Sequence, residues 1–254
     1  MIDKPVIDIK NLWFSFNGEQ VLQDVNFTLY HKEFLAMIGP NGGGKTTLLK
    51  LMLGLFEADR GEIRVFGRPP KQVVHRIGYV PQDIHINKNF PISVLDVVLM
   101  GRLRSGISRS HYKKGDRITA EAALGKVEME QFKNRHIDEL SGGQRQRAFI
   151  ARALVTEPEI LILDEPTASV DAKGQAEIYT ILKDLNEKVT ILVVSHDLLA
   201  LSSYIKSVAC VNRRVHFHGA AEVTEEMLEM AYQCPVELIA HGLPHRVLRA
   251  HNGD

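Results

Sequence analysis

The sequence predicts an α/β protein with a parallel-sheet core and an inserted helical region. Two short apolar runs, ILIL at 160–163 and TILVVS at 190–195, are typical of strands buried on both faces. A helical pattern lies between them, near 174–187, and buried strands that alternate with helices indicate a parallel sheet. From about 83 to 155 helical periodicity dominates and strong strand patterns are absent, which predicts an insertion in the core.

The first third of the chain is predicted to be rich in strands. Residues 6–16 and 25–29 alternate apolar and polar side chains, as strands with one buried face do. Residues 34–38 form a continuous apolar run that leads into a glycine-rich loop and then a helix. Two shorter strands are predicted at 63–66 and 77–80.

The remaining elements follow in order. Helices are predicted within SVLDVVLMGRL (93–103), within TAEAALGKVEM (119–129) and after Ser141. A final hairpin is expected over 207–218. We therefore predict a single domain over 1–220, with the helical subdomain at about 83–155, and a C-terminal extension over 221–254.

Composition excludes several classes of protein. Lys and Arg together number 31, as do Asp and Glu, so no net field attracts nucleic acid, and no nucleic-acid partner is expected. No apolar stretch approaches the ~18 to 20 residues of a membrane span, and the N-terminus has no apolar signal core, so export is not expected. Cys210 and Cys234 form no CxxC, which suits a reducing compartment.

The loop GPNGGGKT at 39–46 fits the P-loop pattern G-x-x-x-x-G-K-[ST]. It follows a predicted strand and opens a helix, which is the context that the pattern requires. Lys45 would reach the β- and γ-phosphates of a nucleotide, and the Thr46 hydroxyl would ligate Mg²⁺. The alternative is a glycine-rich turn with a solvated lysine. The candidate nucleotide-binding residues are Gly39, Pro40, Asn41, Gly42, Gly43, Gly44, Lys45, Thr46 and Thr47.

Three further polar residues follow buried strands. Asp164 and Glu165 end the strand at 160–163, and His196 follows the strand at 190–194. The carboxyl ends of parallel strands face the ligand crevice, so we expect all three at one edge of the sheet. Asp164 would hold Mg²⁺, Glu165 would act on the attacking water, and His196 could contact a γ-phosphate or that water. The alternatives are a charged turn and a histidine that merely caps a strand.

These motifs, in this order, resemble the nucleotide-binding subunit of ATP-binding cassette (ABC) transporters over about residues 6 to 220. The Walker A element is GPNGGGKTT, the signature is LSGGQ at 140–144, and Walker B is LILDEP. The glutamine loop is YVPQ, the D-loop is SVD, and the switch histidine is His196. The resemblance implies ATP and Mg²⁺ as cofactors and a P-loop NTPase core with an N-terminal antiparallel β subdomain and an inserted helical subdomain.

The resemblance also implies roles for single residues. Gln82 should contact Mg²⁺ and the water, with Thr46 and Asp164, and should sense a membrane partner. Phe16 matches an aromatic residue that stacks on adenine, although the family more often has tyrosine there. A core strand phenylalanine is the alternative for Phe16, because Phe14 lies nearby. Lys45, Gln82, Glu165 and His196 would be the catalytic set, so no dead ATPase is indicated.

The signature segment has a local and a family interpretation. Ser141 and Gln144 fit the capping box S-x-x-Q at a helix start, which leaves the two glycines unexplained. In the family, this segment faces the γ-phosphate bound by the opposite subunit. The resemblance therefore implies a head-to-tail homodimer in which the second copy supplies the following residues in trans: Ser141, Gly142, Gly143, Gln144 and Asp171.

The chain carries one cassette and no fused membrane segment, which in this family indicates separate permease subunits and, indirectly, an extracytoplasmic substrate-binding protein. The location implied is the cytoplasmic face of the membrane. FPISVLDVVLMGR at 90–102 is similar to ATPases of zinc, manganese or iron uptake systems, with iron-siderophore or haem importers as the alternative. Two other classes are possible. A soluble ATPase of translation or DNA repair is disfavoured by the zero net charge. A non-hydrolysing scaffold is disfavoured by the intact Glu165 and His196.

The C-terminal tail contains Cys234, His241, His245 and His251, which invites a metal-site interpretation. His241 and His245 have helical spacing, but Gly242 and Pro244 between them disfavour a helix. The spacings match no standard zinc pattern, so we expect a tail that packs on the subunit or its permease.

Overall fold

The computed structural model of the protein describes residues 5–82, 91–103 and 112–218. Within these segments, nine strands form two sheets and seven α-helices flank them. The strands are β1 (Pro5–Phe16), β2 (Glu19–Tyr30), β3 (Phe34–Ile38), β4 (Arg60–Val65), β5 (Ile77–Val80), β6 (Ile160–Asp164), β7 (Thr190–Val194), β8 (Ser207–Asn212) and β9 (Arg214–His218). The helices are α1 (Lys45–Met52), α2 (Pro70–Val73), α3 (Val94–Leu99), α4 (Lys114–Gly125), α5 (Gly142–Leu154), α6 (Ala172–Asn186) and α7 (Leu198–Leu201).

The N-terminal sheet is antiparallel, with the order β2-β1-β4, as expected. β2 begins six residues earlier than its apolar pattern indicated, because it pairs back along the whole of β1, as far as Phe16 opposite Glu19. The turn between them is Asn17–Gly18, with φ angles of 51° and 85°. Two left-handed residues favour a tight hairpin, so turn geometry extended the strand beyond its hydrophobic pattern.

The second sheet has the order β5-β6-β7-β3-β8-β9, and all its pairs are parallel except β8 with β9. β3, β6 and β7 are buried along their full length, which explains their continuous apolar sequences. In the register of β6 with β7, Asp164 lies opposite Val194, so the residues that follow these strands emerge side by side. The predicted parallel core is confirmed.

Two hydrophobic cores cover the two faces of the parallel sheet. One contains α1 and the antiparallel sheet, and the other contains α3, α4, α5 and α6. Between β5 and β6, the described residues contribute helices and no sheet strand, in agreement with the predicted insertion. The exact bounds of the insertion and of the domain stay predictions, and residue 220 lies outside the described residues. The longest described helix, α6, has 15 residues, and none there has the length and apolarity of a membrane span.

Candidate functional site

The P-loop turns at the carboxyl end of β3 through three glycines in the left-handed region. The φ angles are 144° at Gly39, 78° at Gly42 and 99° at Gly44. Residues with a Cβ rarely adopt these angles, so the glycines are required by the backbone. α1 starts directly after Gly44, which caps it without a side chain. Free N–H groups at the start of a helix bind anions, so the predicted phosphate cradle has the expected geometry.

Lys45 lies folded along this loop. Its ammonium donates hydrogen bonds to the carbonyls of Gly39 and Pro40, at 2.8 and 2.9 Å. Burial lowers the pKa of Lys45, and the negative charges of Glu165 and Asp164 oppose that shift. The result is a fixed positive charge in the loop, where a phosphate oxygen could accept a hydrogen bond from it.

Thr46 and Asp164 meet beside the loop. The Thr46 hydroxyl donates to Asp164 Oδ2 at 3.0 Å. Asp164 is 2% exposed; burial raises its pKa, the Thr46 hydrogen bond opposes the shift, and nearby Glu165 adds to it. A hydroxyl and a carboxylate oxygen at this separation suit Mg²⁺, which takes oxygen ligands. A cation there would also compensate the charge that burial disfavours, so the residues fit the metal.

Glu165 is the meeting point of two other predicted residues. Gln82 Nε2 donates to Glu165 Oε2 at 3.1 Å, and His196 Nδ1 lies 3.5 Å from the same oxygen. The Glu165 side chain is 13% exposed, whereas that of His196 is 65% exposed. The backbone N–H of Glu165 donates to Val194 on the neighbouring strand, with Glu165 at a φ of 48°. Unusual backbone angles held by neighbours are common at functional sites.

A cavity of about 340 Å³ lies in front of the loop. Eight of its lining residues belong to the predicted site, and the ninth, Val21, was missed. The lining residues are Val21, Asn41, Gly42, Gly44, Lys45, Thr46, Thr47, Gln82 and Glu165. Tyr79 was also missed; burial and the charge of Asp164 raise its pKa to about 12. Val21 reaches the site through β2, outside the P-loop pattern. Tyr79 belongs to the glutamine-loop motif YVPQ, but of that motif only Gln82 was assigned a role.

Phe16 is 54% exposed, whereas Phe14 is 7% exposed. The core alternative therefore fits Phe14 and not Phe16. The Phe16 ring packs at a tilt against Phe56, with centroids 6.2 Å apart, and keeps an accessible surface at the end of β1. That surface could stack on a base, and the adenine role of Phe16 stays a prediction.

The signature segment forms the predicted capping box. The Ser141 side chain accepts from Gln144 N at 3.3 Å, and Ser141 N donates to Gln144 Oε1 at 3.1 Å. Gly142 and Gly143 are helical, but a Cβ on Gly142 would lie 2.6 Å from the Ser169 carbonyl oxygen. The first glycine is thus required because α5 starts against the loop that precedes α6. Sequence reasoning missed this contact, since nothing local to the motif indicates it.

Asp171 caps α6 by accepting a hydrogen bond from Gly174 N at 2.8 Å. This local role was not predicted, and it leaves the proposed contact in trans untested. The residues predicted to act in trans, 141–144 and Asp171, line no part of the cavity at the P-loop. The structure therefore brings together the P-loop, Gln82, Asp164, Glu165 and His196, and leaves the signature segment apart from them.

The family model described as ABC transporter matches residues 22–168. The chain belongs to the ABC transporter family. Its core has the ABC ATPase fold, and as a member of this family the chain is an ATP-binding ATPase.

The relatives with curated names include metal-transport proteins of the same family. The zinc uptake system ATP-binding protein ZurA of Listeria monocytogenes is 39% identical over 231 residues, which cover 89% of this chain and 90% of ZurA. The manganese transport system ATP-binding protein MntB of Bacillus subtilis is 41% identical, over 89% of this chain and 92% of MntB. A solved inward-facing ABC transporter, described as of the metal-chelate type, is 31% identical with a TM-score of 0.81, over 91% of this chain and 90% of that one.

The tail that was expected to pack on the subunit or its permease, with Cys234, His241, His245 and His251, lies outside the described residues, so neither that expectation nor the metal-site alternative is tested. The stretch that directly follows Gln82 also lies outside them. Within the described part of the chain, no group of three or more His, Cys, Asp and Glu side chains could hold a metal ion.

Proposed function

We propose that this ABC ATPase powers the uptake of a transition-metal ion, zinc, manganese or iron, through separate permease subunits at the cytoplasmic face of the membrane. The observation that carries the proposal is the identity of 39% and 41%, over about nine-tenths of the chain, to ATP-binding proteins of a zinc and a manganese system. An extracytoplasmic substrate-binding protein would deliver the ion to the permease. The ATPase itself supplies only the free energy of hydrolysis.

The P-loop edge is the group formed by residues 39–47 with Gln82, Asp164, Glu165 and His196. Its geometry supports direct roles for these residues in hydrolysis. The loop amides and Lys45 bind and orient the phosphates, because they place N–H donors and a fixed ammonium at one end of the cavity. Thr46 and Asp164 would hold Mg²⁺, with Gln82 at its edge, and the bound ion would supply charge neutralisation on the phosphate oxygens.

Glu165 is the residue we assign to the attacking water. Its Oε2 is fixed by Gln82 and lies within reach of His196, so the carboxylate has a defined direction at the cavity wall. A carboxylate so placed can orient the water and accept its proton. His196 is exposed on its other side and can contact the γ-phosphate or the same water.

We propose that the active form is a two-fold dimer. Ser141, Gly142, Gly143, Gln144 and Asp171 line no part of the P-loop cavity of their own chain, and Ser141 and Gly142 are exposed. In a two-fold pair, the same patch of each copy can complete the other copy's site. Each ATP would then be held between the P-loop of one chain and the signature of its partner.

Mixing two inactive variants tests the dimer. Lys45→Ala removes the phosphate ligand of the P-loop, and Ser141→Arg places a bulky charge on the signature. Neither should hydrolyse ATP alone. A mixture should recover about a quarter of wild-type turnover, because half of random two-fold pairs contain one intact composite site. A mixture as inactive as its components, or a fully active Ser141→Arg protein, would exclude the composite site.

Exposed apolar side chains in the helical subdomain support a permease contact. Met100 is 42% exposed and Leu103 is 57% exposed, just after α3. Exposed apolar side chains three residues apart in the sequence are candidates for a contact with another protein. A Met100→Glu/Leu103→Glu double variant should lose co-purification with the permease while it retains ATP binding. Unchanged co-purification would show that the permease binds a different part of the chain.

Uptake assays test the substrate. In a deletion strain, uptake of radioactive zinc, manganese or iron should fall, and the wild-type gene but not Glu165→Gln should restore it. The resemblance to a metal-chelate type transporter supports a second candidate, import of a chelated metal such as an iron-siderophore or haem. Loss of chelate uptake with normal uptake of free ions would favour that candidate. If no metal species depended on the protein, the metal assignment would be wrong.

A further inference from the structure

The turn between β8 and β9 lies directly against the P-loop. The backbone N–H of Arg213 donates to the carbonyl of Gly43 at 3.0 Å. The carbonyl oxygen of Val211 fills the space beside two glycines of the loop. A Cβ on Gly39 would lie 2.0 Å from this oxygen, and a Cβ on Gly43 would lie 2.7 Å from it. Two glycines of the P-loop thus face this turn without room for any side chain.

Arg213 holds an unusual conformation at the tip of the turn. Its φ is 57°, and its neighbours Asn212 and Arg214 pair across the hairpin. Its carbonyl accepts a hydrogen bond from the backbone N–H of Gln23 in β2, at 2.7 Å. The left-handed region is unfavourable for arginine, so the two hydrogen bonds select the conformation that sends its N–H to the loop.

The bond to Gly43 has a consequence for the phosphate cradle. A trans peptide is planar, so the carbonyl of Gly43 and the N–H of Gly44 point in opposite directions. Because Arg213 holds that carbonyl on the turn's side, the Gly44 N–H is directed away from the turn. Gly44 lines the cavity, and it is packed from its other side by Leu22 and the Val21 carbonyl. Two elements distant in sequence therefore fix one peptide plane of the loop.

We propose that the β8–β9 turn is a positioning element for the P-loop, in which the backbone N–H of Arg213 acts through Gly43 to aim the Gly44 N–H at phosphate. The inference rests on the P-loop being the ATP site proposed above. Arg213 does not line the P-loop cavity, so its role here is that of a positioning residue. A merely structural turn would affect the stability of the fold and leave nucleotide affinity unchanged, and this difference is measurable.

The test uses the full chain and a fluorescent ATP analogue. Arg213→Pro removes the N–H, and Arg213→Gly keeps the N–H, loses the same side chain and accepts the left-handed angle. We expect Arg213→Pro to weaken nucleotide binding about tenfold, as for one lost hydrogen bond, and to raise KM more than it lowers kcat. Arg213→Gly should rescue most of the affinity, which assigns the effect to the backbone.

Two further variants, Arg213→Val and Lys45→Ala, allow each result to be interpreted. If Arg213→Pro does not fold, Arg213→Val keeps the N–H but disfavours a positive φ, and it should weaken binding while it folds. Wild-type affinity in a folded Arg213→Pro or Arg213→Val protein would overturn the inference. Lys45→Ala is the reference for the site itself: if it lost binding while the Arg213 variants did not, only the positioning role would fail. Wild-type binding by Lys45→Ala would instead remove the proposed ATP site.

Discussion

Glycines stand at or just before the start of two helices of this protein, α1 and α5, for different physical reasons. Before α1, Gly39, Gly42 and Gly44 adopt left-handed angles that a Cβ would strain. At the start of α5, Gly142 and Gly143 have helical angles, and the constraint at Gly142 is the lack of space against the Ser169 carbonyl. The comparison teaches that glycines at a helix start do not by themselves identify a phosphate cradle, because close packing requires the same residue.

Charge separates the two regions as well. The P-loop edge brings Lys45, Asp164 and Glu165 of one chain together. Burial lowers the pKa of Lys45 and raises the pKa of Asp164, so it favours the neutral form of each. Residues 141–144 carry no charged side chain, and Ser141 and Gly142 are exposed. These differences support the proposal that the first region is a preorganised phosphate site and that the second contributes to a site only when a second copy is present.

The largest expected effect tests whether hydrolysis belongs to the P-loop edge. Glu165→Gln keeps the size of the side chain and removes the base, so ATP turnover should fall by about 10² to 10⁴. ATP binding by the same protein should stay within a few-fold of wild type, since Glu165 does not hold the phosphates. Single-turnover kinetics and equilibrium binding measure the two quantities. A fall in turnover of less than tenfold would remove Glu165 from the role of base.

The next effect separates the two regions in binding. Lys45→Ala should weaken ATP binding by the isolated monomer about 10- to 100-fold, because a charge-assisted hydrogen bond to phosphate is lost. Ser141→Arg should leave monomer binding within about twofold, because its segment lines no part of the cavity. Titration of both variants with a fluorescent nucleotide, below the concentration at which they dimerise, measures this. An equal loss of ATP affinity in the two variants would contradict the proposal that the P-loop and the signature segment of one chain belong to different sites.

A matched pair of substitutions tests the packing explanation for α5. Gly142→Ala places a Cβ 2.6 Å from the Ser169 oxygen, whereas the Cβ of Gly143→Ala would meet Val170 Cγ1 at 3.4 Å. Overpacking of about 1 to 3 kcal/mol should lower the Tm of the first variant by several degrees. The second should keep or raise its Tm, because alanine favours a helix by about 1 kcal/mol over glycine. Thermal unfolding without nucleotide distinguishes them, and equal Tm values would contradict the packing explanation.

The smallest expected effect concerns the buried carboxylate. Burial raises the pKa of Asp164, so its neutral form stabilises the fold at low pH and this contribution is lost as pH rises through the folded-state pKa. The Tm of Asp164→Asn relative to wild type should therefore rise as pH increases from about 4, the ordinary pKa of an aspartate, and the variant should have the higher Tm at neutral pH. The scan is run with a chelator and no nucleotide. A lower Tm at neutral pH would mean that attraction to Lys45 dominates.

The motifs predicted most of the P-loop edge because each of its residues follows a strand. Lys45, Asp164, Glu165 and His196 come within a few residues of β3, β6 or β7, so the order of strands was enough to bring them together. Val21, Arg213 and Ser169 could not be predicted in the same way. Each reaches the glycines through strand or loop packing between distant segments. No sequence pattern indicates these contacts, although Ser169 belongs to the D-loop motif SVD.

The sequence by itself determined the parallel core, the phosphate loop, the acidic strand end and the family, because strand burial, turn conformation and helix capping are set by neighbouring residues. The tertiary structure alone decided what surrounds the glycines: β2 and the β8–β9 turn against the P-loop, and the Ser169 carbonyl against α5. The physical reason is steric. Which atom occupies the space beside a missing side chain depends on segments that fold against it from elsewhere in the chain.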